Sequence, residues 1–190
     1  MDAPSGPEPA AINTTRLAIR RFRADDAAAL FGYLSDPETV RFEPYEPFTD
    51  EQAITEAARR ANDPAYYAVC LDDGTLIGNL WLDRGDFDTI ELGYVFDRHH
   101  WGHGYATEAA IALLDHVFAD LGAHRVIAMC GTENHASWRL AERIGMRREG
   151  LLRQNVSFAK DESGAPIWLD TYSYAVLADD WSAAAHDADR

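Results

Sequence analysis

The residues best suited to chemistry lie in "WGHGYATEA", between an apolar run that ends at Phe96 and a helical pattern that stops at Gly122. Apolar residues recur at helical spacing from Ala106 onward, and Gly102 and Gly104 directly precede them. Glycine adopts left-handed backbone angles and leaves room for a ligand where a Cβ would intrude. The first amides of a helix have no internal acceptor, and the macrodipole makes that end positive. The pattern predicts a cradle for a phosphate or a pyrophosphate.

Two common phosphate-binding motifs do not fit this turn. A Walker P-loop needs Lys followed by Ser or Thr after its last glycine, where this chain has Tyr105 and Ala106. A dinucleotide fingerprint needs a third glycine, but Thr107 occupies that place, and residues 97–101 separate the turn from the strand. A pair of glycines alone is also consistent with a simple turn. The flanking residues are therefore needed to distinguish a phosphate site from such a turn.

The flanking residues resemble a known family. "GYVFDRHHWGHGYATEA" is similar to the acyl-CoA pyrophosphate loop of the GNAT superfamily of acetyltransferases. It looks most like the branch that contains the ribosomal-protein N-terminal acetyltransferases, where "WGKGYATEA" is typical. A second motif, "NHASWRLAERIGMRREG", resembles that branch in the same order and at a similar separation. The resemblance extends from about Arg16 to Tyr174 and implies an acetyl-CoA-dependent N-acetyltransferase.

The sequence departs from the family pattern at four positions. His99 stands where Gln or Arg is frequent, and His103 stands where Lys is common. Met146 replaces the usual Phe. Ala141 occupies the place of a Tyr that acts as general acid in many members, so the acid must be another residue or water.

The resemblance implies that acetyl-CoA is the cosubstrate and lies in a V-shaped slot between two splayed central strands. The pantetheine arm would pair with one strand, the diphosphate would sit on the amides that open the long helix, and an amide near Tyr94 would hold the thioester oxygen. Asn134 would cap the next helix and also bond the pantetheine amides. The residues assigned to the cofactor in this way are Tyr94, Val95, Phe96, Gly102, His103, Gly104, Tyr105, Ala106, Thr107 and Asn134.

Three residues are candidates for the transfer chemistry. Ser137 resembles the serine proposed in this branch to protonate the departing CoA thiolate, although an ordinary serine in a first helical turn is also consistent with its position. An amine attacks only when deprotonated, and a lysine-type amine has a pKa of about 10.4 in water, so a base is useful. Glu91, on a strand of the slot, is the first candidate base, with a solvated strand glutamate as the alternative. Glu43, in "RFEPYEPF", is the second, and it is also suited to anchoring a cationic acceptor.

The resemblance leaves the amine acceptor open between a protein N-terminus and a small molecule such as an antibiotic or a metabolite. The absence of Tyr at position 141 also keeps open a catalytically silent acyl-CoA-binding module. The sequence does not show the oligomeric state, and the resemblance leaves a homodimer open because homodimers are frequent in the family. We expect the aromatic loop either to wall the acceptor pocket or to pack over the core with Phe42, Tyr45 and Phe48.

The composition of the chain limits the classes of molecule that it is expected to bind. The formal net charge of −15 argues against a nucleic-acid binder, because phosphate backbones demand clusters of Lys and Arg. It permits a cationic substrate, and it is equally consistent with a charge that only maintains solubility. The sequence predicts neither a signal peptide nor a membrane span. Cys70 and Cys130 form no CxxC pair, which indicates buried thiols in the cytoplasm. His99, His100 and His103 lack a carboxylate at ligand spacing, so no metal is expected.

The elements predicted around these residues form a single domain of the mixed α/β (α+β) class. The order is β-α-α-β-β-β-α-β-α-β-β, with helices on both faces of a mostly antiparallel sheet. One parallel crossover is expected, because a helix joins the strand Thr89–Phe96 to the strand Arg125–Thr132. Asp25 is predicted to cap the first helix, and Thr49 with Gln52 to form a capping box. The predicted boundaries are a flexible lead-in over residues 1–13, the GNAT domain over 14–178 and an acidic tail over 179–190.

Overall fold

The structure, a computed structural model, describes residues 11–182 and contains one eight-stranded sheet with helices packed on it. Strands β1 to β8 span Ala11–Asn13, Leu17–Arg21, Tyr66–Leu71, Leu76–Arg84, Thr89–Phe96, Arg125–Gly131, Arg147–Lys160 and Pro166–Leu177. Helices α1 to α4 span Ala27–Leu34, Asp50–Ala61, Tyr105–Ala119 and His135–Arg143. The strand order is β1-β2-β3-β4-β5-β6-β8-β7, and only β5 and β6 are parallel neighbours. This arrangement confirms the predicted mixed α/β class.

The parallel junction between β5 and β6 lies inside the sheet. The two strands pair over three residues, the last being Glu91 opposite Ile127. Beyond that pair β5 continues to Phe96 and β6 to Gly131 without further pairing between them. The strands therefore diverge, and the gap between them is the predicted V-shaped splay. Helix α3 makes the crossover that a parallel pair requires.

Helices cover both faces of the sheet, as predicted. Successive side chains of a strand point to opposite faces, and β3 shows the consequence: Tyr67 and Val69 belong to one buried cluster, Ala68 and Cys70 to another. The first cluster contains buried residues of α3 and α4, and the second contains buried residues of α1 and α2. The sheet is thus the middle of three layers.

Local sequence signals set the ends of two helices. Thr49 Oγ1 accepts from Gln52 N at 3.3 Å and Gln52 Oε1 accepts from Thr49 N at 2.8 Å, which is the predicted capping box of α2. Helix α3 begins after Gly104, and the chain leaves its other end at Gly122, with φ of 82° and 64°. Glycine adopts these positive angles without strain from a Cβ. The predicted start of α3 after Gly104 is confirmed, whereas the helix ends at Ala119, three residues before Gly122.

The N-terminal boundaries differ from the prediction. Residues Ala11–Asn13, predicted within the lead-in over 1–13, form β1 because they pair antiparallel with β2. Asp25 does not cap α1: the N-cap residue is Asp26, and its side chain makes no capping hydrogen bond to this helix. A 3₁₀ turn over residues 24–26 precedes α1, and Asp26 Oδ2 accepts from Arg23 N at 2.8 Å at the start of that turn.

The C-terminal boundary also differs. The sequence predicts an acidic tail over residues 179–190, but residues 178–182 are helical. Trp181 packs against Phe118 of α3 with 5.9 Å between ring centroids, and its Nε1 donates to Asp115 Oδ1 at 2.8 Å. These contacts hold the segment against α3. The remaining residues of both predicted ends, 1–10 and 183–190, lie outside the described chain.

Two predictions concern the environment of the protein. Cys70 on β3 and Cys130 on β6 are both free and buried, as expected for thiols inside strands. No helix within residues 11–182 is long and apolar enough to cross a membrane.

Candidate active site

A cleft of about 1800 Å³ opens where β5 and β6 separate. Its walls are β5, β6, the starts of α3 and α4, the loop over residues 37–47 and one face of the β7–β8 hairpin. Ordinary small-molecule sites measure roughly 300–1,000 Å³. The cleft therefore has room for two substrates at once.

The start of α3 forms one end of the cleft. Gly104 is the N-cap residue, so no side chain of the described residues caps this helix. Gly102 also has a positive φ, of 79°. A Cβ on Gly102 would meet no atom within 4 Å, and the atom nearest to one on Gly104 is Arg16 Nη2, at 3.6 Å. The space above the turn is open, and the uncapped amides at a positive helix end suit a phosphate group.

Arg16 braces this turn, a role that the sequence analysis did not assign to it. Its Nε donates to Glu108 Oε2 at 2.7 Å and its Nη1 donates to His103 O at 3.0 Å. Thr14 Oγ1 donates to Glu108 Oε1 at 2.6 Å. Burial opposes ionisation of Glu108, but the hydrogen bonds from Thr14 and Arg16 outweigh it and lower the pKa of this carboxyl. Arg16 thereby neutralises the negative charge of Glu108, which lies in the first turn of the helix whose start suits a phosphate group.

A second guanidinium adjoins the same helix start. Arg143, in the last turn of α4, donates from Nη1 to Thr107 Oγ1 at 3.3 Å. Both residues line the cleft. The end of the cleft at α3 therefore combines helix amides with a guanidinium group, and it is suited to an anion.

Three polar side chains meet where β5 and β6 diverge. The Tyr94 hydroxyl, from β5, lies 2.9 Å from Ser137 O and 3.0 Å from Ser137 Oγ. Ser137 Oγ, from the first turn of α4, donates to Cys130 Sγ of β6 at 3.2 Å. Burial raises the pKa of Tyr94 and of Cys130, so both groups stay protonated at neutral pH. The family resemblance implies a backbone contact between Tyr94 and the cofactor, and no pattern in the sequence indicates this side-chain contact.

Asn134 lies at the edge of the gap. Its Oδ1 accepts from Ser137 N at 3.1 Å, so the predicted cap of α4 is present. Asn134 also lines the cleft. Its contact with pantetheine amides stays a prediction.

The candidate base Glu43 is half-buried in the loop between α1 and α2 and lines the cleft. Burial raises the pKa of Glu43 to about 7, although a hydrogen bond with Tyr45 and the charge of Arg60 act in the opposite direction. A carboxyl with this pKa exchanges a proton near neutral pH.

The candidate base Glu91 is half-buried and lines the cleft from β5, at the last residue paired with β6. Burial raises the pKa of Glu91, and the charge of Asp83 raises it further. Asp83 is the residue opposite Glu91 in the β4–β5 pairing. Both candidate bases thus face the same cleft with raised pKa values.

A buried polar network supports the loop that carries Glu43. The Arg60 side chain is 3% exposed, and its Nη1 donates to Asn79 Oδ1 at 3.0 Å. The same oxygen accepts from the Tyr33 hydroxyl at 2.8 Å, and Arg60 Nε donates to Glu56 Oε1 at 2.7 Å. Sequence reasoning missed Arg60, because in "EAARRA" it looks like one more exposed charge of an amphipathic helix.

Of the predicted site residues, His103 is the one whose side chain does not line the cleft. Its ring is exposed and stacks on the Tyr105 ring, with 5.6 Å between centroids. In the aromatic loop, Phe42 and Tyr45 line the cleft, and both Tyr45 and Phe48 pack against the core. The remaining predicted residues line the cleft: Glu43, Glu91, Tyr94, Val95, Phe96, Gly102, Gly104, Tyr105, Ala106, Thr107, Asn134 and Ser137.

The other two histidines of the turn share one acceptor. His99 Nδ1 lies 2.9 Å from Asp97 Oδ1, and His100 Nδ1 lies 3.1 Å from Asp97 Oδ2. Within residues 11–182 no group of three or more His, Cys, Asp or Glu side chains is placed to hold a metal ion. These histidines brace the turn that leads into α3.

Comparison with known proteins identifies the family to which the chain belongs. Residues 16–147 match the family model described as an acetyltransferase (GNAT) domain. "Uncharacterized N-acetyltransferase YnaD" of Bacillus subtilis (strain 168) is 35% identical over 175 residues, 90% of this chain and 99% of that protein. The crystal structure of an acetyltransferase (GNAT family) from Bacillus anthracis superposes with a TM-score of 0.81 at 33% identity, covering 89% of this chain and 99% of that one.

The chain belongs to the GNAT acetyltransferases and is an N-acetyltransferase. Within that family it falls in the branch that contains the ribosomal-protein N-terminal acetyltransferases. One such relative, the [ribosomal protein uS5]-alanine N-acetyltransferase of Escherichia coli (strain K12), is 24% identical over 186 residues, 90% of this chain and 92% of that protein. Membership of the family implies the use of acetyl-CoA.

Proposed function

We propose that this chain transfers the acetyl group of acetyl-CoA directly to a primary amine. One observation carries the proposal: the uncapped start of α3 and the Tyr94–Ser137 contact open into the same cleft. The first suits a diphosphate, and the second places a hydroxyl group where a thiolate can leave. Acetyl-CoA carries a diphosphate and a thioester at the two ends of its pantetheine arm.

The cofactor assignment follows the cleft. The diphosphate sits on the amides from Gly102 to Thr107, with Arg143 beside them. The unpaired edge of β5 binds the pantetheine arm through Tyr94, Val95 and Phe96, and an amide near Tyr94 donates to the thioester oxygen as it gains negative charge. Asn134 donates to the pantetheine from across the gap.

The reaction needs no acyl-enzyme. The amine nitrogen attacks the thioester carbon, the C–S bond breaks, and its electron pair goes to sulfur. The Ser137 hydroxyl gives its proton to that sulfur, and the serine oxygen recovers, through water, a proton that the amine released. Cys130 is the cysteine of the cleft, and burial raises the pKa of its thiol. A thiol, unlike a thiolate, is a poor nucleophile, which supports direct transfer.

Glu43 and Glu91 are the proposed bases for the amine. The pKa of about 7 at Glu43 supports this residue, because a base works best near the pH at which it operates. The raised pKa of Glu91 supports the same role from β5. Replacing each by Gln separates the two, since the true base alone sets the pH dependence of kcat/KM.

The acceptor is a cationic amine, which both a protein N-terminus and a small molecule offer. Glu43, Glu46 and Glu91 line the cleft, while the charge of Arg60 is balanced by Glu56. Acidic side chains attract an ammonium group. The uS5-alanine acetyltransferase among the relatives supports a protein N-terminus, and antibiotic or metabolite amines share the same chemistry.

A panel of acceptors tests the function. Acetyl-CoA is offered with N-terminal peptides, polyamines and aminoglycosides, free CoA thiol is followed, and products are identified by mass spectrometry. We expect an acetylated amine, with loss of turnover in Ser137→Ala. Tight acetyl-CoA binding without any acetylated product across the panel would favour a silent acyl-CoA-binding module, which the buried Ala141 in place of a tyrosine would then explain.

The proposal also includes the oligomeric state of the protein and its cellular compartment. A homodimer is proposed on the family resemblance, and the exposed apolar side chains of Phe158, Ile167 and Trp168 on the β7–β8 hairpin support it, because such patches often lie in interfaces. Light scattering measures the mass. A cytoplasmic location is supported by two unpaired thiols, and fractionation of the cells that make the protein tests it.

A further inference from the structure

The contact among Tyr94, Ser137 and Cys130 joins three elements across the splay. Tyr94 belongs to β5, Cys130 to β6 and Ser137 to α4. Their polar atoms lie within hydrogen-bond distance, at 3.0 Å for Tyr94 to Ser137 Oγ and 3.2 Å for Ser137 Oγ to Cys130 Sγ. All three residues line the cleft. The side chain of Tyr94 therefore bridges the gap in which the thioester is proposed to lie.

The hydrogen bonds of this group have a direction. Ser137 Oγ donates its one proton to Cys130 Sγ. The single hydroxyl proton of Tyr94 is donated to Ser137 O at 2.9 Å, and Ser137 Oγ lies at nearly the same distance, 3.0 Å, from the phenol oxygen. Burial raises the pKa of Tyr94, which keeps the phenol protonated and able to donate. Burial likewise keeps Cys130 as a neutral thiol, and a neutral sulfur is a weak acceptor. Before CoA binds, the Ser137 proton is thus bonded to Cys130 Sγ, the weakest hydrogen-bond acceptor among these three side chains.

We infer that Tyr94 is a positioning residue that makes Ser137 an effective donor to the departing sulfur. This inference rests on the proposed function. A CoA thiolate is an anionic acceptor and attracts the Ser137 proton away from the neutral Cys130 sulfur. As that proton moves, negative charge develops on the serine oxygen, which is a far weaker acid than a thiol. The Tyr94 hydroxyl, which donates to Ser137 O at rest, turns its proton to this oxygen and stabilises the charge.

The arrangement also accounts for the alanine at position 141. The family resemblance implies a tyrosine hydroxyl at that place on α4, but here Ala141 is fully buried in the core. A phenol hydroxyl instead reaches Ser137 from β5, on the opposite wall of the gap. Tyr94 supplies through Ser137 what a tyrosine on α4 supplies directly.

The first test uses CoA itself and needs no acceptor. Calorimetry measures CoA binding, and the ultraviolet absorbance of the thiolate gives the pKa of the bound CoA thiol. We expect Tyr94→Phe to raise that pKa in the wild-type background and to leave it unchanged in Ser137→Ala. Tyr172→Phe, which removes a phenol hydroxyl from the neighbouring strand β8, is the matched control and should have no effect.

The second test uses turnover with the best amine of the acceptor panel. We expect Tyr94→Phe to lower kcat roughly 10- to 100-fold, the rate equivalent of one hydrogen bond to a charged oxygen, with the KM for acetyl-CoA unchanged. In Ser137→Ala the same change should cost less than about twofold, because Tyr94 acts through Ser137. Phe keeps the ring that packs against the core, and thermal unfolding verifies the fold.

The outcomes separate this inference from the proposed function. CoA that does not bind to the wild-type protein overturns both. CoA that binds with the same thiol pKa in the wild type and in Tyr94→Phe overturns the role of Tyr94 and leaves the proposed function standing. An equal effect of Tyr94→Phe with and without the Ser137 hydroxyl also overturns it, since Tyr94 would then act independently.

Discussion

Arg16 and Glu108 form an ion pair, with 2.6 Å between Nη2 and Oε2, at the point where α3 begins. Glu108 lies in the first turn of the helix whose amides are proposed to hold a diphosphate. Without Arg16 its carboxylate would repel that ligand. The pair therefore allows an acidic residue to serve as a structural anchor beside an anion site.

This relationship predicts how the pair affects acetyl-CoA binding. Arg16→Gln should weaken binding by roughly 1–2 kcal/mol, about tenfold in Kd, because an unpaired carboxylate then faces the diphosphate. Glu108→Gln in the same background should restore most of the affinity. Calorimetry at low and high salt measures both. Arg125→Gln, which breaks the ion pair with Glu149 outside the cleft, is the control.

The double variant decides what Arg16 does. If Arg16→Gln/Glu108→Gln binds no better than Arg16→Gln alone, neutralisation of Glu108 is not the role of Arg16. The guanidinium would then act on the ligand directly.

Gly104→Val should abolish tight acetyl-CoA binding. The residue has a φ of 82°, and a side chain there would enter the space above the α3 amides. We expect a Kd at least about 100-fold weaker, with roughly 1–3 kcal/mol of stability lost to backbone strain. Gly164→Val, at a φ of 85° in the β7–β8 turn, suffers the same strain away from the site. Equal Kd values for the two variants would show that the diphosphate does not bind at this turn.

Glu43 predicts a pH dependence of activity. A base must be deprotonated to accept a proton, so kcat/KM should rise as the pH increases through about 7, the pKa of this carboxyl. Glu43→Gln should lower kcat/KM roughly 100-fold or more and remove that limb of the profile. Glu46→Gln, in the same loop, is the control. A limb that persists in Glu43→Gln and disappears in Glu91→Gln would assign the base to Glu91.

The raised pKa of Glu43 also predicts a pH dependence of stability. The pKa of Glu43 is about 7 in the folded chain, against about 4.3 for an unperturbed glutamate. A carboxyl with a raised folded pKa contributes stability that is fully present below the unfolded value and is lost as the pH rises through the folded value. The Tm should therefore fall more between about pH 4.3 and about 7 in the wild type than in Glu43→Gln. Parallel curves from thermal unfolding would contradict this.

Much of the fold was predictable because its signals are local. The period of the apolar residues and the flanking glycines define α3, and the Thr49–Gln52 pair defines the start of α2. The splay followed only from the family resemblance, since no local pattern records where two parallel strands stop pairing. β1 was missed because a three-residue edge strand has almost no periodicity to detect.

The missed parts of the site depend on contacts between distant residues. Arg16 reaches Glu108 across 92 positions of sequence, and Tyr94 reaches Ser137 across 43. A raised pKa at Glu43 depends on how a loop with two prolines folds over its carboxyl, which spacing does not encode. The motif pointed to the residues that are proposed to hold acetyl-CoA, while the partners that orient those residues became visible only in three dimensions.

Asn134 offers a variant that separates its two roles. Its Oδ1 caps α4, and its amide nitrogen is proposed to donate to the pantetheine arm. Ser caps helices about as well as Asn, so Asn134→Ser should keep the Tm and weaken acetyl-CoA binding roughly tenfold, the loss of one ligand hydrogen bond. Asn134→Ala should lose the same affinity and also about 1 kcal/mol of stability. Thermal unfolding and calorimetry measure the two effects, and Thr49→Ala, which uncaps α2, should reduce stability alone. Unchanged affinity for acetyl-CoA in Asn134→Ser would show that Asn134 caps α4 and does not bind the pantetheine arm.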